Sequence, residues 1–257
     1  MMKMNEGWRT FFSEIGDMTR FANRFFYEGA RPRYEWEELL RQCYKIGNKS
    51  LPLVGLTGFI LGLVLTIQLR PNMAYYGVES KLPDMVAIAI VREIGPVLTA
   101  LVFAGKISSS IGAELGSMRV TEQIDAMEVS GTNPFKYLVV TRIIATTLML
   151  PILTLLSDAI SLYGCYLGVN IRDIVSFGLF YRQVFDALSF SDVIPAFIKT
   201  FFFGFAVGLV GCYKGYHSQK GTEGVGRSAN SAVVVSSLLI FILDLVAVQV
   251  TDILGIN

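Results

Sequence analysis

Long apolar stretches separated by short polar segments dominate this chain. The clearest covers residues 51–69 and carries no charge from end to end. A transmembrane helix needs about 20 mainly apolar residues, and four further stretches meet that length. The five predicted spans are about 51–69, 85–107, 137–169, 193–213 and 229–253. The pattern predicts an all-α integral membrane protein, with a five-span membrane domain over residues 50–257.

The first 49 residues follow a different pattern. Apolar side chains recur at steps of three and four, with charged residues on much of the other side, as in an amphipathic helix. The apolar face consists of Trp8, Phe11, Phe12, Ile15, Met18, Phe21, Phe25 and Phe26. A second short helix at about 35–46 repeats the pattern. We predict that residues 1–49 form helices lying in the membrane interface; the alternative is an ordinary helix packed on a soluble core.

Composition and charge narrow the class of protein. The chain is 53% apolar and 17% charged, with a mean hydropathy of +0.52, whereas soluble domains carry about 25% charge. A net charge of +1 argues against a nucleic-acid partner. Cys43, Cys165 and Cys212 are far apart and His217 is the single histidine, so neither a disulfide framework nor a metal site is predicted. The N-terminal residues also do not match a cleavable signal peptide.

The distribution of lysine and arginine predicts the orientation. Sixteen of them lie before span one, from the end of span two through the start of span three, and between spans four and five, against four in the loops on the other side. The positive-inside rule therefore predicts a cytoplasmic N-terminus. Five spans then place the C-terminus on the other side of the membrane.

The loop between spans two and three contains a short predicted helix at about 121–131. Thr121 can cap its start and Gly131, followed by Asn133-Pro134, can end it. Its acidic residues are spaced three apart, and its apolar side chains form an opposite face. Such a short helix gains little stability alone, so we expect it to dock, either on its own bundle or on another protein. The positions assigned to this docking are Thr121, Glu122, Gln123, Asp125 and Glu128.

Arg92 and Glu93 stand side by side inside span two, directly before Gly95-Pro96. Adjacent helical residues point about 100° apart, so the two cannot face one another. Pro96 removes a backbone donor, which favours a kink at the pair. A cation at such a kink suits a phosphate headgroup in a lipid-facing cavity. The alternative is a structural salt bridge, in which Arg92 pairs with Asp158 or Asp244 and Glu93 with Lys199.

Three further charges lie inside predicted spans: Asp158, Lys199 and Asp244. Buried charges in membranes usually pair or face an aqueous cavity. The opposite signs of Lys199 and Asp244 predict a pair between spans four and five. The three carboxyl groups Glu93, Asp158 and Asp244 leave a proton relay open as well.

Two blocks of this sequence resemble the MlaE/YrbE-type permeases, the membrane subunits of bacterial ABC transporters that work with MCE proteins. The first is VREIGPVLTALVFAGKISSSIGAELGSMRVTEQIDAMEVSGTNPFKYLVVTR, residues 91–142, and the second is GTEGVGRSANSAVVVSSLLIFILD, residues 221–244. The resemblance covers essentially the whole chain.

The resemblance implies a homodimer in the bacterial inner membrane, with a periplasmic C-terminus and a lipid as substrate. A cytoplasmic ATPase would bind below and carry ATP and magnesium, and MCE-domain subunits would lie above in the periplasm. A small accessory cytoplasmic subunit is left open. The matching segments would be a coupling helix at about 121–131 and a lipid cavity beside Arg92 and Glu93. No cofactor is expected on this chain, because it lacks a Walker lysine motif.

Two other functions remain open from the residues alone. An ion-coupled carrier would use the intramembrane charges without an ATPase, but would leave the docking helix unexplained. A lipid-modifying enzyme would need a nucleophile and base or a metal site, and no such constellation is visible. The sequence therefore favours a transporter subunit without catalytic residues of its own.

Overall fold

The computed structural model describes residues 2–30, 35–172, 174–219 and 221–255, with the side chains of residues 2–8, 10 and 11 left aside. This part of the chain is mostly helical and contains no strand. Five of its helical segments are long and apolar enough to cross a membrane: Trp36–Tyr75, Glu79–Val120, Phe135–Asn170, Phe190–Tyr216 and Thr222–Ile253. The predicted fold class and the number of spans are confirmed. Each segment extends beyond the predicted bounds, most of all in spans one and two.

The first two helices are α1 (Met2–Gly29) and α2 (Trp36–Tyr75). Phe21 and Phe25 of α1 are buried against the bundle, whereas Phe12 and Phe26 are about 60% exposed. The predicted aromatic face is thus divided between the bundle and the outside, and Trp8 and Phe11 lie outside the described side chains. The membrane-interface position of α1 stays a prediction.

The prediction of a separate short helix at about 35–46 is wrong, because α2 covers these residues and continues without a break into span one. Pro52 lies inside α2 and removes one backbone donor, yet the helix is not interrupted. The Lys106 ammonium donates to the carbonyl of Lys49, one turn before this proline. Gly47, just beyond the predicted end of the short helix, lies inside α2 and against Met149 of α7.

Span two is assembled from several helical pieces. After a 3-10 turn (Glu79–Lys81), it contains α3 (Leu82–Ala89), α4 (Gly95–Phe103) and α5 (Ser109–Val120). Two π-helical turns separate these pieces, Ile90–Ile94 and Ala104–Ser108. Where the sequence predicts a kink, span two has a π-helical turn that carries Arg92 and Glu93. π-Helical turns are often found at functional sites.

The remaining helices are α6 (Gln123–Val129), α7 (Thr141–Asn170), α8 (Phe177–Ala187), α9 (Phe190–Tyr216) and α10 (Thr222–Ile253). A further π-helical turn, Phe135–Val140, leads into α7. α8 was not predicted, because its 11 residues are too few to span a membrane. We call the end of the bundle near α6 the α6 end and the opposite end the α8 end.

Glycines allow α2 and α7 to pack closely. A side chain at Gly58 would lie 2.6 Å from the Ser157 hydroxyl, and one at Gly62 would overlap the Ser161 carbonyl. The Ser161 hydroxyl also donates to the Gly58 carbonyl at 2.8 Å. This Gly-x-x-x-Gly pair therefore contacts the chain's own α7.

Replacing Gly62 with alanine is expected to destabilise the bundle by roughly 1–3 kcal/mol, the usual cost of overpacking. The atoms that the added methyl group would overlap belong to the backbone of α7, so rotation of a side chain cannot relieve the clash. Thermal unfolding in detergent measures the loss. Gly226→Ala is the matched control, because a side chain there meets nothing within 4 Å; equal stability of the two variants would contradict the tight α2–α7 contact.

Candidate functional site

Lys199 is the centre of a charge cluster inside the bundle. Its Nζ lies 2.6 Å from Glu93 Oε2 and 2.9 Å from Asp244 Oδ1. The lysine side chain is 6% exposed, Asp244 is 21% exposed and Glu93 is 40% exposed. One ammonium on α9 thereby joins the π-helical turn of span two to α10. The structure brings together Glu93 with Lys199, and Lys199 with Asp244, as the sequence suggested.

Arg92 has a different partner from those proposed. Its Nη1 lies 3.5 Å from Asp192 Oδ1, so the suggested pairing with Asp158 or Asp244 is wrong. Asp192 Oδ2 also accepts hydrogen bonds from the Ser189 hydroxyl at 2.6 Å and from the Ser189 backbone N–H at 3.2 Å. These two residues form a capping box at the start of α9. The Ser189-x-x-Asp192 spacing is a sequence signal for this cap that the sequence analysis missed. Arg92 and Glu93, which are neighbours in the π-helical turn, therefore belong to two different ion pairs.

Asp158 does not take part in the Lys199 cluster through a salt bridge within the described residues. It is buried on α7, and its Oδ1 has no hydrogen-bond partner there. This oxygen occupies the space where a side chain at Gly95 would lie, so Gly95 allows α7 and span two to approach. Asp158 and Pro96 also line one small cavity between span two, α7 and α9. The predicted pairing of Asp158 is thus not present.

A large apolar cleft opens between α9 and α10 beside this cluster. Its volume is about 670 Å³. Its walls are almost entirely apolar, with Lys199 among its lining residues and Phe190 and Leu254 nearer its α8 end. A smaller hollow lined by Arg92, Glu93 and Asp192 adjoins it, and both are bordered by Lys199, Pro195 and Thr251. An apolar volume bordered by charges can hold an amphiphile, with its tails in the cleft and its polar group at the cluster.

The segment at the α6 end differs from its prediction in length and in capping. Helix α6 covers Gln123–Val129 instead of 121–131. The Thr121 hydroxyl donates back to the Ser117 carbonyl at 2.9 Å, so it does not cap α6. Glu122 precedes the helix with a left-handed backbone, φ 59°. The predicted end is present, since Gly131 adopts a positive φ of 82°.

α6 attaches to the bundle by one side and exposes the other. Ile124 is fully buried, and Asp125 is held by Arg119 at 2.5 Å. Val129 is 91% exposed, and Glu122, Gln123 and Glu128 are exposed as well. The exposed surface therefore combines acidic groups with the apolar side chains of Ala126 and Val129, which suits docking to another protein.

A second ionic cluster, which the sequence analysis missed, lies near the α6 end. Glu114 on α5 accepts from Lys45 of α2 at 3.0 Å and from Arg142 of α7 at 3.1 Å. Arg142 is buried and also donates to the Leu138 carbonyl at 2.8 Å. These three residues lie far apart along the chain, so their spacing in the sequence did not indicate that they are in contact. The cluster ties α5, which leads into α6, to two other spans.

The chain was compared with known proteins. The family model described as Permease MlaE matches residues 39–250. A relative named a probable ABC transporter permease protein, from Rickettsia felis, is 40% identical over 90% of both chains. A protein of the same description from Synechocystis is 38% identical over 79% of both chains. The Arabidopsis thaliana protein TRIGALACTOSYLDIACYLGLYCEROL 1, chloroplastic, is 35% identical over 83% of this chain and 61% of its own. With one family model covering most of its length and relatives at about 40% identity, the chain belongs to the MlaE permease family of ABC transporter membrane subunits.

Proposed function

We propose that this permease moves a phospholipid, or a similar lipid, between the bacterial inner membrane and a periplasmic MCE-domain carrier. It acts as a homodimer, and a separate cytoplasmic ATPase supplies the energy. The N-terminus lies in the cytoplasm and the C-terminus in the periplasm, so α6 faces the ATPase and α8 faces the carrier.

The observation that carries this proposal is the cleft between α9 and α10. Its volume of about 670 Å³ and its apolar walls suit acyl chains. Lys199 and Arg92 stand beside it, each held by carboxylates, and a guanidinium or ammonium is a common partner of phosphate. Charges kept inside a membrane protein usually serve a pathway. The name of the Arabidopsis relative contains that of a galactosyl diacylglycerol, which supports a lipid as the substrate.

Mechanical coupling can follow from the geometry of α6. Closure of the ATPase pair on ATP binding pushes on the exposed side of α6. The push passes through α5 and the Glu114 cluster to α2 and α7. A change in spacing between the two subunits then opens or closes the cleft and transfers one lipid. Such coupling requires two states of the permease that differ in these contacts.

Purification from native membranes in mild detergent tests the proposal. We expect an ATPase and an MCE-domain protein to copurify, and the reconstituted complex to transfer labelled phospholipid only with hydrolysable ATP. A protein that purifies alone and transports under an ion gradient would instead support the ion-coupled carrier. A complex that hydrolyses ATP without moving lipid would overturn the proposed substrate.

A further inference from the structure

A second pocket lies at the α8 end, on a different side of the bundle from the cleft. It is enclosed by the last turns of α2, the start of span two, the end of α7 and one face of α8, and its volume is about 280 Å³. Its polar lining residues are Arg70, Glu79, Ser80 and Gln183. None of these residues borders the cleft at Lys199, so the two cavities are separate.

Arg70 supplies a cation in the wall of this pocket. Its Nη1 donates to the Val169 carbonyl at 3.3 Å, which fixes the guanidinium between α2 and α7. A guanidinium presents a planar set of donors that matches the oxygens of a phosphate group. Glu79 and Ser80 line the same pocket from the start of span two. A ligand with both an anionic and a cationic group meets complementary charges there.

The position of α8 indicates the depth of the pocket in a membrane. Phe180 and Val184 are fully buried in the bundle, whereas Phe177 and Phe185 are 54% and 70% exposed. Such an amphipathic helix with outward aromatic side chains is typical of the headgroup region. Leu179 and Gln183, one turn apart on α8, line the pocket. Its mouth is therefore level with lipid headgroups, in reach of a lipid whose tails remain in the bilayer.

We propose that this pocket binds the headgroup of an amine-bearing phospholipid. Its phosphate lies against Arg70 and its ammonium against Glu79, while apolar Leu82, Pro83 and Leu179 contact the glycerol region. The proposal concerns binding alone and needs neither the ATPase nor the carrier. It adds a lipid site at the α8 end to the one proposed between α9 and α10.

Photo-crosslinking of the full chain in nanodiscs tests this site without ATP. Gln183→p-benzoylphenylalanine places the reactive group in the pocket, and Asp186→p-benzoylphenylalanine is the matched control on α8, where Asp186 is 76% exposed. Nanodiscs contain equal parts phosphatidylethanolamine, phosphatidylglycerol and phosphatidylcholine. We expect mass spectrometry to find position 183 joined mainly to phosphatidylethanolamine, and position 186 joined without preference.

Arg70→Gln in the position-183 background is expected to lower the phosphatidylethanolamine adduct at least tenfold. Arg182→Gln, on the exposed side of α8, should leave it unchanged. An excess of inorganic phosphate distinguishes a lipid from a free phosphate source: an adduct that persists supports the lipid site, and an adduct lost to inorganic phosphate overturns it. Equal labelling of the three lipids, or an adduct insensitive to Arg70→Gln with a normal unfolding temperature, also overturns the proposal. Failure of ATP-driven transport does not affect this readout.

Discussion

Lys199→Met is expected to abolish lipid transport and to lower the free energy of unfolding. The substitution leaves Glu93 and Asp244 facing each other without the ammonium that lies 2.6 and 2.9 Å from them. Removing one partner of a buried ion pair costs roughly 3–5 kcal/mol. The lower end of that range applies here, because Glu93 is 40% exposed and water screens its charge.

A neutral version of the whole cluster separates stability from function. Replacing all three charges in Glu93→Gln, Lys199→Met and Asp244→Asn removes the uncompensated carboxylates, and exchanging a complete buried ion pair for neutral groups is often tolerated. We expect this triple variant to recover the unfolding temperature while lipid transfer stays absent, because the site proposed beside the α9–α10 cleft has lost one of its two cations and keeps only Arg92. Thermal unfolding and ATP-driven transfer of labelled phospholipid measure the two effects.

Lys214→Met provides the matched control on the same helix. Lys214 lies on α9 at the α6 end and forms its ion pair with Glu14 of α1, far along the helix from the cleft. Its loss should leave transfer per folded complex unchanged. Recovery of transfer in the triple variant would mean that the Lys199 cluster only holds the helices together.

The number of spans could be predicted because it depends on composition over about 20 residues. Residues 51–69 carry no charge, and no packing information is needed to recognise them. The helix bounds could not be predicted in the same way. The α2 helix runs through Gly47 and Pro52 because contacts with α7 and with Lys106 outweigh local signals, and these contacts come from residues more than 50 positions away.

The charge cluster shows a similar limit at the level of single residues. Opposite charges at Lys199 and Asp244 in neighbouring spans were enough to suggest their pairing. Arg92 has Asp192 as its partner because a capping box fixes that carboxylate at the start of α9, and the sequence analysis did not recognise the cap. Asp158 was expected to pair, yet it lies against Gly95 instead. The close approach of two backbones decides that contact, and spacing along the chain does not encode it.

Changing the exposed side of α6 is expected to release the ATPase from an intact permease. Val129 is apolar and 91% exposed beside the exposed Glu122 and Glu128, so a partner that docks on this side of α6 would cover all three. We expect Val129→Asp combined with Glu128→Lys to weaken ATPase binding at least 30-fold, since mismatched charges placed in an interface cost several kcal/mol. Copurification and the ATPase dissociation constant in detergent measure the loss, and ATP-driven lipid transfer should disappear with it.

Asp125 is left unchanged in this test because its ion pair with Arg119 holds α6 itself. The matched control is Val78→Asp, an exposed valine at the α8 end, which should retain both the ATPase and transfer. The unfolding temperature of the α6 variant should equal that of the unmodified chain, because neither altered side chain packs against the bundle. If the ATPase stayed bound to the α6 variant, its docking surface would lie elsewhere on the permease. In that case the path from α6 through the Glu114 cluster could not carry the coupling.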